Sequence, residues 1–149
     1  MGTHYRGEPH EVRALNAFIK LIRAANSVGA RLECLLSALG FTENQFGILE
    51  ILYHLGPVFQ RDLSRKLFTS GGNVTQILDQ LERRGLVSRK RDSKDRRHVQ
   101  IHLTDEGNRL ISTAFPQYLK ATMAEFAVLT PEEQEELARL CRKVGLQRQ

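Results

Sequence analysis

The sequence lacks most of the features that mark secreted, membrane-bound and metal-binding proteins. It contains only two cysteines, Cys34 and Cys141, and neither belongs to a CxxC pair, so neither a zinc site nor a disulfide framework is indicated. No run approaches about 18 consecutive apolar residues, and residues 1–6 lack the apolar block of a signal peptide. We therefore expect a soluble, cytoplasmic protein of a reducing compartment, with no membrane partner.

Sequence motifs of the common enzyme classes are also missing. There is no GxSxG nucleophile motif, no P-loop, no HExxH metalloprotease motif and no Rossmann glycine pattern. Residues 69–73 are small and polar, but they lack the lysine that a phosphate-binding loop would need. His98 and His102 share one face of a predicted strand, yet two histidines alone do not complete a metal site. The sequence therefore predicts a protein that is not an enzyme and has no cofactor or metal.

The length and composition fit a single globular domain. The chain has 149 residues, of which 41% are hydrophobic and 26% are charged, close to the average for soluble proteins. This supply of apolar residues is sufficient for a sizeable core, and long disordered stretches are not expected. We interpret residues 1–149 as one domain.

Basic charge is concentrated in one quarter of the chain. Residues 61–97 contain eleven lysines and arginines against five acidic residues, a net charge of +6, whereas the whole chain carries +5. The rest of the chain therefore carries −1. A local basic field of this kind suits a polyanionic partner better than solubility alone requires. A chance cluster on a solvated surface is the alternative that charge leaves open.

Apolar spacing predicts helices on both sides of the basic segment. Between residues 10 and 39, apolar side chains recur mostly at three- and four-residue steps, as in a long amphipathic helix. Three later helices begin at residues that cap helix N-termini well, namely Thr42, Thr104 and Thr130. We expect terminal helices over residues 10–39 and 105–146, around a central lobe at residues 42–104.

The basic segment itself is predicted to form two helices and a β-hairpin. The first helix is short and turns Leu63 and Leu67 inward. The second buries residues at helical spacing and leaves a polar face outside; its apolar set is Val74, Ile77, Leu78 and Leu81. Gly85 ends this helix, and residues 86–91 and 99–103 form the strands. The predicted fold is mostly α (α+β), a winged helix-turn-helix whose wing is a two-stranded hairpin.

A helix-turn-helix lays its second helix in the major groove of DNA, where residues near the helix N-terminus meet base edges. Gln76 and Asn73 carry side-chain amides that suit adenine, and the glycines leave the helix N-terminus open to a phosphate. The candidate DNA contacts on this helix are Ser70, Gly71, Gly72, Asn73, Thr75, Gln76 and Arg83. The alternative is that these residues only cap and solvate the helix.

The hairpin strengthens the case for DNA. Six basic residues lie within residues 89–97, a density that would be self-repelling without an anionic partner. An arginine at a hairpin tip can enter a narrow, A·T-rich minor groove, and a neighbouring carboxylate can fix the direction of its guanidinium. The candidate contacts in the wing are Arg91, Lys94, Asp95, Arg96 and Arg97. A plain solvated hairpin is the alternative.

These residues resemble the signature of the MarR (multiple antibiotic resistance regulator) family. The run from Leu81 to Val87 matches it, and residues 95–107 match the wing motif DRRxxxIxLTxxG. The resemblance covers about residues 10–146 and implies a homodimer on pseudo-palindromic double-stranded operator DNA, usually as a repressor. It also implies that Arg97 enters the minor groove with support from Asp95. Many members have arginine where Gln76 stands, so the operator base preference does not carry over.

Dimerisation and sensing complete the expectations. The first and last helices are more apolar than one small lobe needs, which favours pairing with a second copy. The resemblance also implies two kinds of signal, because ligand-responsive members of the family bind small aromatic compounds or oxidise a cysteine. For Cys34 and Cys141 two roles stay open, packing or a redox role that includes an intersubunit disulfide. A constitutive or architectural DNA-binding protein without a ligand switch would share every DNA-facing residue.

Overall fold

The computed structural model describes residues 2–67, 71–91 and 99–146, and it is mostly helical with one small antiparallel sheet. The elements follow in the order α1 (Pro9–Ala38), α2 (Glu43–Leu55), β1 (Val58–Phe59), α3 (Gln60–Lys66), α4 (Gly71–Arg83), β2 (Val87–Arg91), β3 (Val99–Leu103), α5 (Asp105–Phe126) and α6 (Pro131–Gly145). The predicted winged helix-turn-helix with helices at both ends is confirmed. Within the described ranges, no helix is both long and apolar enough to cross a bilayer.

Local capping sets where three of the helices begin. At the start of α2, Thr42 Oγ1 accepts a hydrogen bond from the Gln45 amide, and Gln45 Oε1 accepts one from the Thr42 amide, both at 3.2 Å. Thr130 and Glu133 form the same reciprocal pair at the start of α6. Thr104 Oγ1 accepts from the Gly107 amide at 3.0 Å and begins α5. The three predicted N-caps are confirmed, because capping depends only on close sequence neighbours.

The hydrophobic core lies in the middle of the chain, where α2, α4, the sheet and α5 pack together. Its largest fully buried side chains are Leu36, Phe46, Ile48, Leu49, Leu63, Val74, Leu78, Leu81, Leu86, Ile101 and Ile111. The ring of Phe46 packs on Tyr118 of α5 with centroids 4.6 Å apart. Burying one such side chain contributes about 1.5–3 kcal/mol. The helix-turn-helix and its wing therefore share one core with α2 and α5.

The sheet has three strands in the order β1-β3-β2, all antiparallel. Val87 of β2 pairs with Leu103 of β3, and Arg91 pairs with Val99, so the predicted hairpin is confirmed. The third strand was not expected. β1 consists of two residues and pairs Val58 with Ile101. A two-residue strand is too short to show the alternation by which strands are recognised in a sequence.

Gly85 ends α4 in a conformation that a glycine adopts without strain. Its φ is +71°, its amide donates to the Glu82 carbonyl at 2.9 Å, and the Leu86 amide donates to the Leu81 carbonyl at 3.0 Å. This pair of hydrogen bonds is the Schellman motif, and the buried side chains of Leu81 and Leu86 provide its usual apolar contact. Arg83, rather than the predicted Arg84, is the last helical residue. The motif directs the chain from α4 into β2.

We expect Gly85→Ala to lower the free energy of unfolding by about 1–2 kcal/mol, because an added Cβ disfavours the left-handed backbone. A Cβ at Gly85 would meet no atom within 4 Å, so the cost isolates backbone strain. Urea denaturation of both proteins measures it. The control is Gly145→Ala in α6, where φ is not positive and a Cβ also meets nothing. Equal stability of the Gly85 variant and the original protein would contradict the assignment.

The terminal helices expose many apolar side chains in the single chain. In α1 only Leu36 is buried, and in α6 no residue is. Phe18 of α1 is 61% exposed and Val144 of α6 is 60% exposed. The Arg31 guanidinium donates to both carboxylate oxygens of Glu125 at 2.7–2.8 Å and ties α1 to α5. An apolar surface of this extent is typical of an interaction face.

Candidate nucleic-acid interface

Helix α4 has one buried face and one exposed polar face. Val74, Leu78 and Leu81 are fully buried and Ile77 nearly so, whereas Thr75, Gln76 and Arg83 are exposed and Asn73 is half-buried. This division is the one that the sequence periodicity predicts. The exposed face carries hydroxyl, amide and guanidinium groups, which are the groups that bind phosphates and base edges.

Helix α3 packs next to α4 as the first helix of the helix-turn-helix. Gln60 Nε2, at the start of α3, donates to Thr75 Oγ1 of α4 at 2.9 Å. Three basic side chains on the outside of α3 are exposed: Arg61, Arg65 and Lys66. The first helix of such a motif crosses the DNA backbone, so these cations lie where phosphate contacts are expected.

The far end of α4 is attached to the junction of α1 and α2. Gln45 Nε2 donates to Gln80 Oε1 at 2.9 Å, and Gln45 is buried. Arg84, the next residue after α4, donates to the Gly40 carbonyl at 3.0 Å and to Gln45 Oε1 at 3.3 Å. Its guanidinium also lies over the ring of Phe41, 5.0 Å from the centroid. Arg84 therefore holds α4 in place from behind, although its charge belongs to the basic segment.

The wing strand β2 is attached to α4 by Arg89. Nη2 lies 2.6 Å from Asp79 Oδ1, and Nη1 lies 2.6 Å from Glu82 Oε2. The Arg89 amide donates to the other oxygen of Glu82 at 3.2 Å, and its guanidinium also donates to the Thr75 carbonyl at 3.4 Å. The side chain is only 24% exposed. In the sequence Arg89 is one of six basic residues at positions 89–97, and nothing local indicates that it pairs with α4.

Comparison with known proteins agrees with this geometry. The MarR family model matches residues 41–99, which run from two residues before α2 to the first residue of β3. The chain is 36% identical over 137 residues to YkoM of Bacillus subtilis, an uncharacterised HTH-type transcriptional regulator, and the match covers 92% of this chain and 89% of YkoM. The chain belongs to the MarR family. It is therefore an HTH-type transcriptional regulator that binds DNA, and not an enzyme.

Two solved structures are similar to this chain over most of its length. AbsC, a MarR family regulator from Streptomyces coelicolor, superposes with a TM-score of 0.84 at 22% identity, covering 95% of this chain and 96% of AbsC, which shows the shared fold. BpsR of Bordetella bronchiseptica superposes with a TM-score of 0.78 at 26% identity, covering 87% and 98%. The DNA binding of BpsR is regulated by 6-hydroxynicotinic acid.

The predicted MarR contacts are only partly within the described ranges. Gly71 and Gly72 are the first residues of α4, and Arg91 is exposed at the end of β2. Ser70 in the turn before α4 lies outside the described residues, as do the wing residues Lys94, Asp95, Arg96 and Arg97. Their contacts with DNA stay predictions. Of the candidates on α4, the side chains of Thr75, Gln76 and Arg83 are exposed.

Both cysteine side chains are exposed, Cys34 on α1 and Cys141 on α6. In the single chain neither cysteine packs in the core, because the helices that carry them turn their apolar faces outward, so a packing role would require a second covering surface. Cys141 lines an apolar cleft of about 340 Å³ between the terminal helices and the start of α2; the other lining residues include Leu21, Val28, Leu32, Phe126 and Leu137. A redox role for either cysteine stays a prediction.

His102 of β3 lines a cleft with residues at the end of α2 and the start of α5. Its Nε2 lies 3.0 Å from Gln100 Oε1 on the same strand. Partial burial, and then the nearby charge of Lys90, lower the pKa of His102. Both effects favour the neutral form of the imidazole. His98, the other histidine of this strand in the sequence interpretation, lies outside the described residues.

Proposed function

We propose that this MarR-family chain is a repressor that binds a pseudo-palindromic operator as a homodimer and releases it when a small aromatic ligand or an oxidant acts. The observation that carries the proposal is the exposed polar face of α4, which is held in place on both sides. Gln80 is attached to Gln45 at one side, and Asp79 is attached to Arg89 at the other. A recognition helix is more selective for base sequence when its position is fixed before it binds DNA.

The homodimer is supported by the apolar faces of α1 and α6. These faces belong to the first and last helices of the chain, and a second copy would cover them. A twofold axis would place two copies of α4 roughly 34 Å apart, one turn of DNA. This spacing is what an operator with two half-sites requires.

Ligand control is supported by the apolar cleft beside Cys141. Its volume of about 340 Å³ lies in the usual range for small-molecule sites. Glu43, at the first turn of α2, is the charged residue of its lining, and α2 belongs to the DNA-binding lobe. A ligand in this cleft would contact both the terminal helices and the lobe, and so could change how the two copies of α4 are spaced. The hydroxylated aromatic acid that regulates BpsR shows the kind of molecule to test first.

Release from DNA tests the regulatory part of the proposal. Operator DNA identified by footprinting upstream of the protein's own gene is titrated with protein, with and without 6-hydroxynicotinic acid, a panel of phenols, and hydrogen peroxide. We expect one of these additions to weaken binding by about 5- to 150-fold, the usual range of allosteric coupling. Binding that no addition changes would favour a constitutive or architectural DNA-binding protein instead.

We expect Gln76→Ala to change the selected base sequence more than the affinity for unrelated DNA. Gln76 is exposed on α4, and a side-chain amide that pairs with a base contributes about 1–3 kcal/mol of discrimination at that base pair. Selection from random duplex DNA is carried out with both proteins. The control is Gln117→Ala on α5, which is exposed and on another helix. Recovery of the same motif with the Gln76 variant would rule out base reading by this residue.

A further inference from the structure

We propose that Arg89 is a positioning residue that fixes α4 against the wing strand and thereby sets the base selectivity of the protein without contacting DNA itself. The inference rests on the proposed function, because selectivity presupposes an operator. The residue lies in the basic hairpin, where a direct phosphate contact would be the ordinary expectation. The geometry points to a different use of its charge.

Arg89 contacts three residues of α4. Thr75, Asp79 and Glu82 are spaced by four and three residues, so they lie on one side of α4 over successive turns. One guanidinium reaches all three through the Thr75 carbonyl and the two carboxylates. Thr75 directly precedes Gln76. The contact therefore extends along α4 to the residues that are expected to read bases.

Arg89 is held rigidly on the sheet side as well as on the helix side. The Arg89 main chain is also fixed, because its amide donates to Glu82 and the residue pairs with Ile101 of β3. A planar guanidinium with fixed donors can hold two carboxylates in a defined direction, whereas a lysine ammonium is a point charge on a flexible stem. Arg89 thus fixes the position of α4 relative to the sheet. A lysine in its place would preserve the charge but not the fixed direction of the hydrogen bonds.

The charge of Arg89 matters as well as its geometry. Asp79 and Glu82 are both more than 40% exposed, and they would oppose a polyanion that approaches α4. Arg89 compensates part of this negative charge. Its loss would therefore have two effects, a general repulsion of DNA and a loss of position of α4. A variant that lacks Arg89 and both carboxylates no longer repels DNA through them. In that variant, only the lost positioning of α4 can change the ratio of operator binding to non-specific binding.

The experiment compares five proteins: the original, Arg89→Gln, Arg89→Lys, the triple variant Arg89→Gln with Asp79→Asn and Glu82→Gln, and the control Lys90→Gln. Lys90 is the next residue of β2, and its side chain is exposed. Dissociation constants are measured by fluorescence anisotropy for the selected operator and for unrelated duplex DNA, over a series of salt concentrations. Thermal unfolding of each protein confirms that it is folded. If Arg89→Gln is unfolded, the comparison rests on Arg89→Lys.

We expect Arg89→Gln to weaken binding to both DNAs and to lower the operator selectivity by about tenfold, the effect of one mismatched base pair. In the triple variant the affinity for unrelated DNA should recover, while the selectivity stays low. Lys90→Gln should weaken binding to both DNAs equally. It should also reduce by about 1 the slope of log affinity against log salt concentration. Arg89→Lys should keep the affinity for unrelated DNA and lose selectivity.

Three results would overturn the inference. Selectivity restored in the triple variant would mean that Arg89 only masks the two carboxylates. A salt slope reduced by about 1 in Arg89→Gln, with unchanged selectivity, would mean a phosphate contact like that expected of Lys90. Original selectivity and affinity in Arg89→Gln would mean no role. Failure of the original protein to select any sequence is a different outcome, because it would reject the proposed function before any variant is compared.

Discussion

Leu140→Asp should convert the protein into a monomer that binds operator DNA at least about 100-fold more weakly than the original. Leu140 is 44% exposed on the apolar face of α6, beside Leu137 and Val144, and the proposed twofold dimer covers this face. A carboxylate buried there without a partner costs several kcal/mol. A monomer has only one copy of α4, so it loses the gain of about 10²–10⁴ that comes from binding two linked half-sites.

Sedimentation at micromolar concentration, together with operator titration, measures both consequences. The control is Arg142→Gln on the opposite side of α6, which changes the charge by the same amount and leaves the apolar face intact. It should remain a dimer and bind the operator with only a small loss. If Leu140→Asp remains a dimer at low micromolar concentration, α6 does not form the interface.

Gly107→Ala should be the most destabilising small substitution in the described part of the chain. Gly107 lies in the first turn of α5, and an added Cβ would be 2.0 Å from the Leu86 carbonyl oxygen and 2.9 Å from its carbon. These are backbone atoms, and the same carbonyl accepts a hydrogen bond from the Thr104 amide. A shift that relieves the clash would therefore separate α5 from the entry to β2.

We expect a loss of at least about 3 kcal/mol in the free energy of unfolding, the upper part of the range for overpacked sites. For a chain of this size that corresponds to a fall of roughly 6–12 °C in Tm. Differential scanning calorimetry measures it, with Gly145→Ala as the matched control because a Cβ there meets nothing within 4 Å. A Tm within about 2 °C of the original would show that α5 and β2 are not packed as described.

The starts of α2 and α6 and the strand β3 could be predicted from the sequence because their signals are local. Thr42 with Gln45, and Thr130 with Glu133, form the capping pairs that their three-residue spacing predicts. The alternation at residues 99–103 likewise predicted β3. Each of these elements is determined by neighbours within a few residues, so the pattern is visible without knowledge of the fold.

The features that the sequence did not reveal depend on distant partners. Strand β1 exists because Val58 meets Ile101, and its two residues carry no pattern of their own. The role of Arg89 depends on the turn at Gly85, which brings β2 back along α4. A hint was present, because Asp79 and Glu82 are acidic residues on a helix expected to approach DNA. Their spacing shows that they share a face, but not which cation meets them.

The exposed cysteines also show that a sequence pattern does not reveal which surface covers an apolar face. Cys141 lies on an apolar stripe, and such a stripe predicts burial whether the covering surface belongs to the same chain or to a second copy. In the single chain the stripe of α6 is exposed, so a sequence pattern that indicated packing corresponds to an uncovered face. This face is the main structural support for the proposed dimer.

Selection of binding sites from random duplex DNA by the original protein tests the central claim most directly. The account predicts an inverted repeat whose half-site centres are about 10 base pairs apart, because two copies of α4 related by a twofold axis enter successive major grooves on one side of the DNA. A single motif without an inverted partner, or no enrichment over the starting pool, would contradict it.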